Sequence, residues 1–387
     1  MTAAERFWLD LEPADTLFFR DHGARRPGVD NWAGSVPPSP LTLFGAIGSW
    51  LIHGLDVDFK EFKAGKIDNL LGKFNAELRE LDWSIAGPFW GEQGTVYFPA
   101  PASAYFCEPN KYAWLIPAEE RGLFSSLPAE LRPLVFADGK SMSGKEFKPA
   151  QGWVSRLHLE GFLQNGRPEN FRHHEEDKFS CAETRFGIGV DKDSFAAEDG
   201  MLFVTPRMRV RQGKVFSVQV RFKTEDARAK IEQVLQKNNG IAFFGGERGR
   251  VKISLRKNEP LIAAPDPAEL AQQGRFLLYL CTPALFTEGW KPAHWPDCFN
   301  GAELIGAAVH KPCRISGWAQ GQGPRRLYHA APGGSVYFFE TAGWDESRFV
   351  ELLEHHHFST SISDFYPCAG FGITCIGTWN KGGSHAA

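Results

Sequence analysis

Segments with strand-like alternation and segments with helical spacing succeed one another along this 387-residue chain in an order that leaves few folds open. RFWLDLEPADTLFF reads as a strand. Pro40 to about His53 reads as a helix with Ser39 as its N-cap, Pro40 in the first turn where no N–H is needed, and Leu43, Ile47 and Trp50 on one face. Ile67, Leu70, Leu71, Phe74 and Leu78 have the spacing of a second amphipathic helix. DWSIAGPFWG and TVYFPAPASAYF are strands interrupted by proline. From Glu108 to about Ser180 the pattern dissolves into proline, glycine and charge, as in an insertion without a core of its own. ETRFGIGVD and GMLFVTPRMRV restore it, and a hairpin through Gln212-Gly213 leads into KVFSVQVRFK. Thr224 then caps the helix TEDARAKIEQVLQKNNG, which Gly240 stops, and IAFFGGERGRVKISLRK is a strand or hairpin.

Read coarsely, residues 1–258 give β-α-β-β-α-β with an insertion at 108–180, the order of a ferredoxin-like unit. A Pro/Ala-rich linker follows at 259–274. Residues 275–387 repeat the order with an irregular segment in place of the first helix. RFLLYLCTPALF is an apolar strand, ELIGAAVHKPCRISGWAQ and RRLYHAAPGGSVYFFE are a strand pair, Asp345 caps ESRFVELLEHHH, and AGFGITCIGTWN closes the chain. The expected class is α+β: two tandem ferredoxin-like (RRM-like) domains, whose first and last strands bring the two units face to face across a cleft.

Composition removes several function classes. Hydrophobic content of 43% with 23% charged residues belongs to a globular chain, and a net charge of −3 confines any polyanion site to a local patch. Seven cysteines without a C-x-x-C pair fit neither a zinc ribbon nor a disulfide framework and point to a reducing compartment, the cytoplasm. No apolar run reaches the length of a membrane span. G-x-S-x-G, H-E-x-x-H, Walker and dinucleotide-binding patterns are missing, so no cofactor and no metal is expected.

The candidate site residues are cationic or glycine. Arg20, Arg25 and Arg26 precede the Ser39–Pro40 helix start, where unpaired N–H groups and the dipole favour an anion. Arg207, Arg209 and Arg211 alternate along one strand and share a face, fitting phosphates and a solvated hairpin equally well. Arg248, Arg250 and Lys252 alternate behind Gly245-Gly246, either as a backbone contact to nucleic acid or as a charged edge strand. Gly370, Gly372 and Gly377 would admit an RNA backbone, although a tight turn explains them too. Of the histidines, His22, His158 and His329 could act as acid or base in RNA cleavage, but no partner spacing singles one out.

Placed together, EPADTLFFRD, PPSPLTLFGAIGSWL, ETRFGIGVDKDSFAAEDGMLF, FFGGERGRV, LLYLCTPALFTEGWKP, ISGWAQGQGPRRLYHAAPGGSVYFFE and GFGITCIGTW resemble the RAMP proteins of CRISPR systems. The resemblance is to the branch found in the type III-B (Cmr) effector beside the Cas10-type large subunit. It implies a pair of modified ferredoxin-like domains, no catalytic role, and residence in a multi-subunit ribonucleoprotein. The partners it implies are the guide (crRNA) with its single-stranded 5′ tag, the Cas10-type subunit and a neighbouring RAMP backbone subunit. Gly370, Gly372 and Gly377 match the glycine-rich hallmark, and Arg20, Arg25 and Arg26 the opening block. Ala46-Ile47-Gly48 stands where relatives often carry an arginine, which removes one possible RNA contact. The alternative is a metal-independent RAMP endoribonuclease that processes guide precursors.

Overall fold

The first strand, β1 (Glu5–Pro13), shows why two layers form. Phe7, Leu9 and Leu11 are buried on one face, while Trp8 and Asp10 turn to the other. The computed structural model describes residues 5–19, 37–66, 70–73, 75–108, 111–119, 128, 130–137, 146–191, 193–256, 262–319 and 323–380. Arg20, Arg25, Arg26 and His22 lie outside the described residues.

After β1 come α1 (Pro40–Gly54), β2 (Trp83–Glu92), β3 (Thr95–Pro99), β4 (Trp153–Ser155), α2 (Arg156–Asn165), β5 (Ser180–Val190), β6 (Ala197–Val210), β7 (Lys214–Phe222), α3 (Ala227–Asn238), β8 (Ile241–Phe243) and β9 (Arg250–Leu255). One sheet has the antiparallel order β8-β9-β1-β7-β2-β3-β4. Its central strands β9-β1-β7-β2 stand as fourth, first, third and second of the first β-α-β-β-α-β series. Phe7, Leu9, Phe216, Val218, Val220 and Phe222 bury one face against Leu43, Ile47 and Leu51 of α1 and Ile231 and Val234 of α3.

The remaining elements are β10 (Arg275–Leu280), β11 (Ala302–Ala308), β12 (Val336–Thr341), α4 (Glu346–His356) and β13 (Thr374–Gly377). They form a sheet ordered β11-β12-β10-β13, the same sequence of roles read from the other edge. Phe276, Leu278, Tyr337 and Phe339 face Phe349 and Leu352 of α4. The chain is therefore mixed α and β with antiparallel sheets.

The other faces of both sheets meet in a third cluster. Trp8, Ala86, Phe89 and Phe98 join Leu277, Tyr279, Val336, Phe338 and Cys375, so a shared core stands where a cleft was expected. Two arginines at this contact are hydrogen-bonded, as burial requires, whereas the Trp8 indole N–H is buried without a partner. Arg221 donates to the Phe358 carbonyl at 3.0 Å, to the Ser359 carbonyl and to Gln219 Oε1 at 2.7 Å. Burial pulls its pKa down to about 10. Arg256 donates to Asp10 at 2.6 Å and to Ser217 Oγ at 2.7 Å.

The segment at 108–180 is more ordered than its composition suggested. Ala104–Glu108, Lys111–Pro117, Leu134–Phe136 and Lys148–Pro149 form a small sheet, and α2 follows. Trp114, Leu159 and Phe162 enter the shared core, and Arg132 pairs with Glu340 at 2.7 Å. The short strands bury their apolar groups on the second sheet, so they carry little periodicity of their own.

Four expectations are corrected. The strands around Gln212-Gly213 are not a hairpin: β6 pairs with β5, and β7 enters the large sheet. Between 70 and 81 the described residues make turns, with Gly72 at φ +66° and Leu78 at φ +51°, while Leu70 and Leu71 are nonetheless buried. Thr224 does not cap α3: Asp226 precedes the helix without a capping bond, and Thr224 Oγ1 is buried without a partner. The Pro/Ala-rich linker holds a helix, Pro267–Gln273, capped by Asp266. Among the described residues no helix is long and apolar enough to cross a membrane.

Candidate nucleic-acid interface

The start of α1 has the cap its sequence demanded. Ser39 Oγ accepts from the Thr42 N–H at 3.2 Å, and Pro40 occupies the first turn. A groove of about 2330 Å³ opens along this helix, with Phe18, Phe19, Ser39 and Leu41 around its N-terminal end. Arg20, Arg25 and Arg26 fall, in sequence, between groove-lining Phe19 and groove-lining Pro37.

The opposite wall comes from the C-terminal part of the chain, in the short strand Cys313–Ile315, which pairs with Tyr328–Ala330, and in Ser316, Gly317, Arg325 and Leu327. A Cβ on Gly317 would lie 3.1 Å from Leu41 Cδ2 and 3.3 Å from Arg325 Cδ, so the Arg325 stem runs beside the first turn of α1. No carboxylate among the described residues pairs with Arg325. Arg314 and Ser316 line the same wall. Next to it, Arg326 lies 5.4 Å over the Tyr328 ring, which also packs on Phe365 at 5.1 Å and Tyr366 at 5.9 Å. An arginine beside a helix N-terminus, with clustered aromatics nearby, is chemistry suited to a phosphate and an unpaired base. Sequence reasoning missed Arg314, Arg325 and Arg326. Two arginines beside a tyrosine in GPRRLYH were the available signal, and only the fold places them at α1.

The cationic strand residues divide. Arg207 is bonded to Glu247, Arg209 to Glu183 and Asp15, and Arg211 to the Asp177 carbonyl. Arg185 completes the group at 3.0 Å from Asp15 and 3.1 Å from Glu183. Hydrogen bonds from the Thr16 backbone and Arg185 hold the Asp15 carboxyl below its ordinary range, and those from Arg209 and Arg185 do the same to Glu183. Arg207 and Arg209 therefore face carboxylates of their own chain, and Arg211 a backbone carbonyl, rather than an open anion site. Arg248 and Arg250 are exposed, and Arg250 lies 5.8 Å over the Phe243 ring.

The glycines have packing reasons. Gly246 donates its N–H to the Phe18 carbonyl at 2.8 Å, and a Cβ on Gly245 would meet that oxygen at 2.8 Å. The close approach there belongs to the chain itself. Gly370 and Gly372 are buried, at φ +94° and +65°. A Cβ on Gly372 would stand 2.6 Å from the Ser363 nitrogen, and one on Gly370 3.0 Å from the Gly87 carbonyl of β2. Neither offers backbone to an RNA strand in this structure; their place is in the seam between the sheets.

The histidines do not assemble into a centre. His158 Nδ1 lies 3.0 Å from the Asn170 carbonyl, and His329 is exposed opposite Arg314. His356 is buried, and burial pushes it down to about 4. Among the described residues no group of three His, Cys, Asp or Glu side chains could hold a metal ion.

A family model described as CRISPR-associated protein (Cas_Cmr3) matches residues 9–379. Among solved structures, a chain of the type III-B Cmr-beta complex bound to cognate target RNA is 17% identical over 86% of each chain, with a TM-score of 0.48. A chain of the Csm3-Csm4 subcomplex of the type III-A CRISPR-Cas interference complex is 11% identical over 97% of this chain and 99% of that one, with a TM-score of 0.38. A chain of the Csm1-Csm4 cassette in complex with pppApA is 14% identical over 86% of each, with a TM-score of 0.34. No curated protein matches.

Proposed function

The chain belongs to the CRISPR-associated Cas_Cmr3 family, and from that membership we propose that it is a non-catalytic guide-RNA-binding subunit of a cytoplasmic type III-B (Cmr) effector. In this reading it grips the single-stranded 5′ tag of the guide, and other surfaces meet the Cas10-type large subunit and the neighbouring RAMP backbone subunit.

One juxtaposition carries the reading. The capped N-terminus of α1 and the Arg325 side chain, nearly three hundred residues apart in sequence, close on the same groove. The sheet order supports it from another side. We read β9-β1-β7-β2 and β11-β12-β10-β13 as two ferredoxin-like units, over 1–258 and 275–387 with 259–274 between them. An isolated RRM stacks bases on its helix-free sheet face. Here those faces are buried against each other, which leaves the helix end and its basic rim as the better-formed surface for RNA.

The test is binding of tagged and untagged guide by wild type and by R20A/R25A/R26A. The triple variant is expected to load guide weakly and with a flatter salt dependence. Normal loading would remove the opening loop from the grip. Incubation of the purified protein with repeat RNA in EDTA is expected to leave the RNA intact, and sharp cleavage would favour the endoribonuclease.

A further inference from the structure

Seven free cysteines are spread along the chain, and the fold brings two of them together. Cys281 Sγ and Cys375 Sγ lie 3.4 Å apart, although they stand 94 positions apart in sequence. Among the described residues no other two thiols form such a contact. Cys375 is held in β13 opposite Tyr279, and Cys281 stands one residue beyond the end of β10. Three bonds hold the two segments side by side. Ile373 donates its N–H to Thr282 Oγ1 at 3.0 Å, Gly372 to the Pro283 carbonyl at 2.8 Å, and Cys281 to the Ile373 carbonyl at 2.7 Å.

Two further features separate this pair from ordinary core filling. Both side chains belong to the shared core, yet Cys281 also lines the groove together with Pro99 and Gly333, a route for a small neutral molecule. Arg221 brings its charge to the same core without a carboxylate partner among the described residues. Its bonds go to two backbone carbonyls and the Gln219 carboxamide. That charge acts on both thiols. Burial pushes the Cys281 thiol up, the bond to Cys375 adds to it, and the guanidinium opposes both. The thiolate is the reactive form, so the first step at such a thiol is slow, whereas a thiol already in contact makes the second step intramolecular.

We propose that Cys281 and Cys375 are a peroxide-oxidisable dithiol, a modification site that closes to a disulfide between the end of β10 and β13. The Cys281 thiolate attacks one peroxide oxygen and the O–O bond breaks. The departing hydroxide takes up the proton that the thiol gave, so sulfur is oxidised to a sulfenic acid while the peroxide is reduced. Cys375 then attacks that sulfur, the S–O bond breaks, and the hydroxyl leaves as water with the Cys375 proton. To reach disulfide length the sulfurs close by about 1.4 Å, and Cys281, past the last paired residue of its strand, is the one placed to give way. In a reducing compartment such a bond is transient, of the redox-sensing kind. The proposal is independent of what the chain binds.

The experiment treats the reduced full-length protein with hydrogen peroxide, once in native buffer and once in urea. Remaining thiols are alkylated in denaturant and the digest is mapped by mass without reductant. The expected native product is one linked peptide pair, Cys281 with Cys375, lighter by two hydrogen atoms and restored by dithiothreitol. Its yield should exceed that of any other cysteine pair by about tenfold, and urea should erase the preference. Cys375→Ala is expected to stop the reaction at the Cys281 sulfenic acid, which dimedone captures. Folded Cys375→Ala protein without that adduct overturns the order of the steps. Both thiols alkylated after native peroxide treatment, or the same preference in urea, overturns the site itself, and the wild-type map decides this whether or not the variant folds.

Discussion

Replacing Arg325 by alanine isolates the contribution of the groove. Its guanidinium has no carboxylate partner among the described residues, and its stem lies beside Leu41 in the first turn of α1. A phosphate held there would accept charge-assisted hydrogen bonds from the arginine in the field of the helix end. Losing one such bond costs about 1.5–3 kcal/mol, roughly ten- to hundredfold in affinity. Each single-strand phosphate also contributes about 0.7 to the slope of log K against log salt. Over a fourfold rise in salt, the variant should therefore lose about 2.6-fold less of its remaining affinity than wild type. Filter binding of tagged guide across a salt series reads both quantities. Arg209→Ala is the matched comparison, because Arg209 is already bonded to Glu183 and Asp15 and should leave the slope unchanged. Equal slope changes in the two variants would refute the assignment of the groove and the internal neutralisation of the strand arginines together.

Three further outcomes follow from the packing. Asp10→Asn leaves Arg256, whose side chain is nearly buried, without its countercharge and should lower the urea-unfolding free energy by about 3–5 kcal/mol. Gly372→Ala places a methyl 2.6 Å from the Ser363 nitrogen at φ +65° and should cost about 2 kcal/mol or more in thermal unfolding, while protein that does fold binds guide normally. His356 is held near 4 in the fold against an ordinary value of 6.5, so its burial favours the neutral ring. Its contribution is complete above pH 6.5 and is lost as pH falls from 6.5 towards 4, by about 3 kcal/mol in all. A His356→Leu variant should flatten that limb of the stability–pH curve.

The element order was legible because it is local chemistry. Ser39-Pro40 starts α1, Asp345 starts α4, and the alternation in RFWLDLEP sets which residues of β1 face the helices. Where the sequence misled, long-range packing overruled a local pattern. Leu70 and Leu71 are buried without a helix because Gly72 and Leu78 turn the chain under the core. GMLFVTPRMRV and KVFSVQVRFK are neighbours through a turn yet belong to different sheets, because β7 finds β1 and β2 on its two sides. The partners of Arg207, Arg209 and Arg211 come from loops and strands up to 194 residues away, and alternation alone carries no trace of them.

By itself the sequence determined the capped helices, the strand alternation and the two successions of elements, since propensity, capping and periodicity act over a few residues. The tertiary structure alone decided which faces are covered. The faces of both sheets turned away from α1, α3 and α4 close on each other with α2 beside them, the glycines at 370 and 372 lie by that seam, and Arg325 arrives at the start of α1. Those outcomes depend on burying two apolar faces against one another, a contact between distant segments that no local spacing encodes.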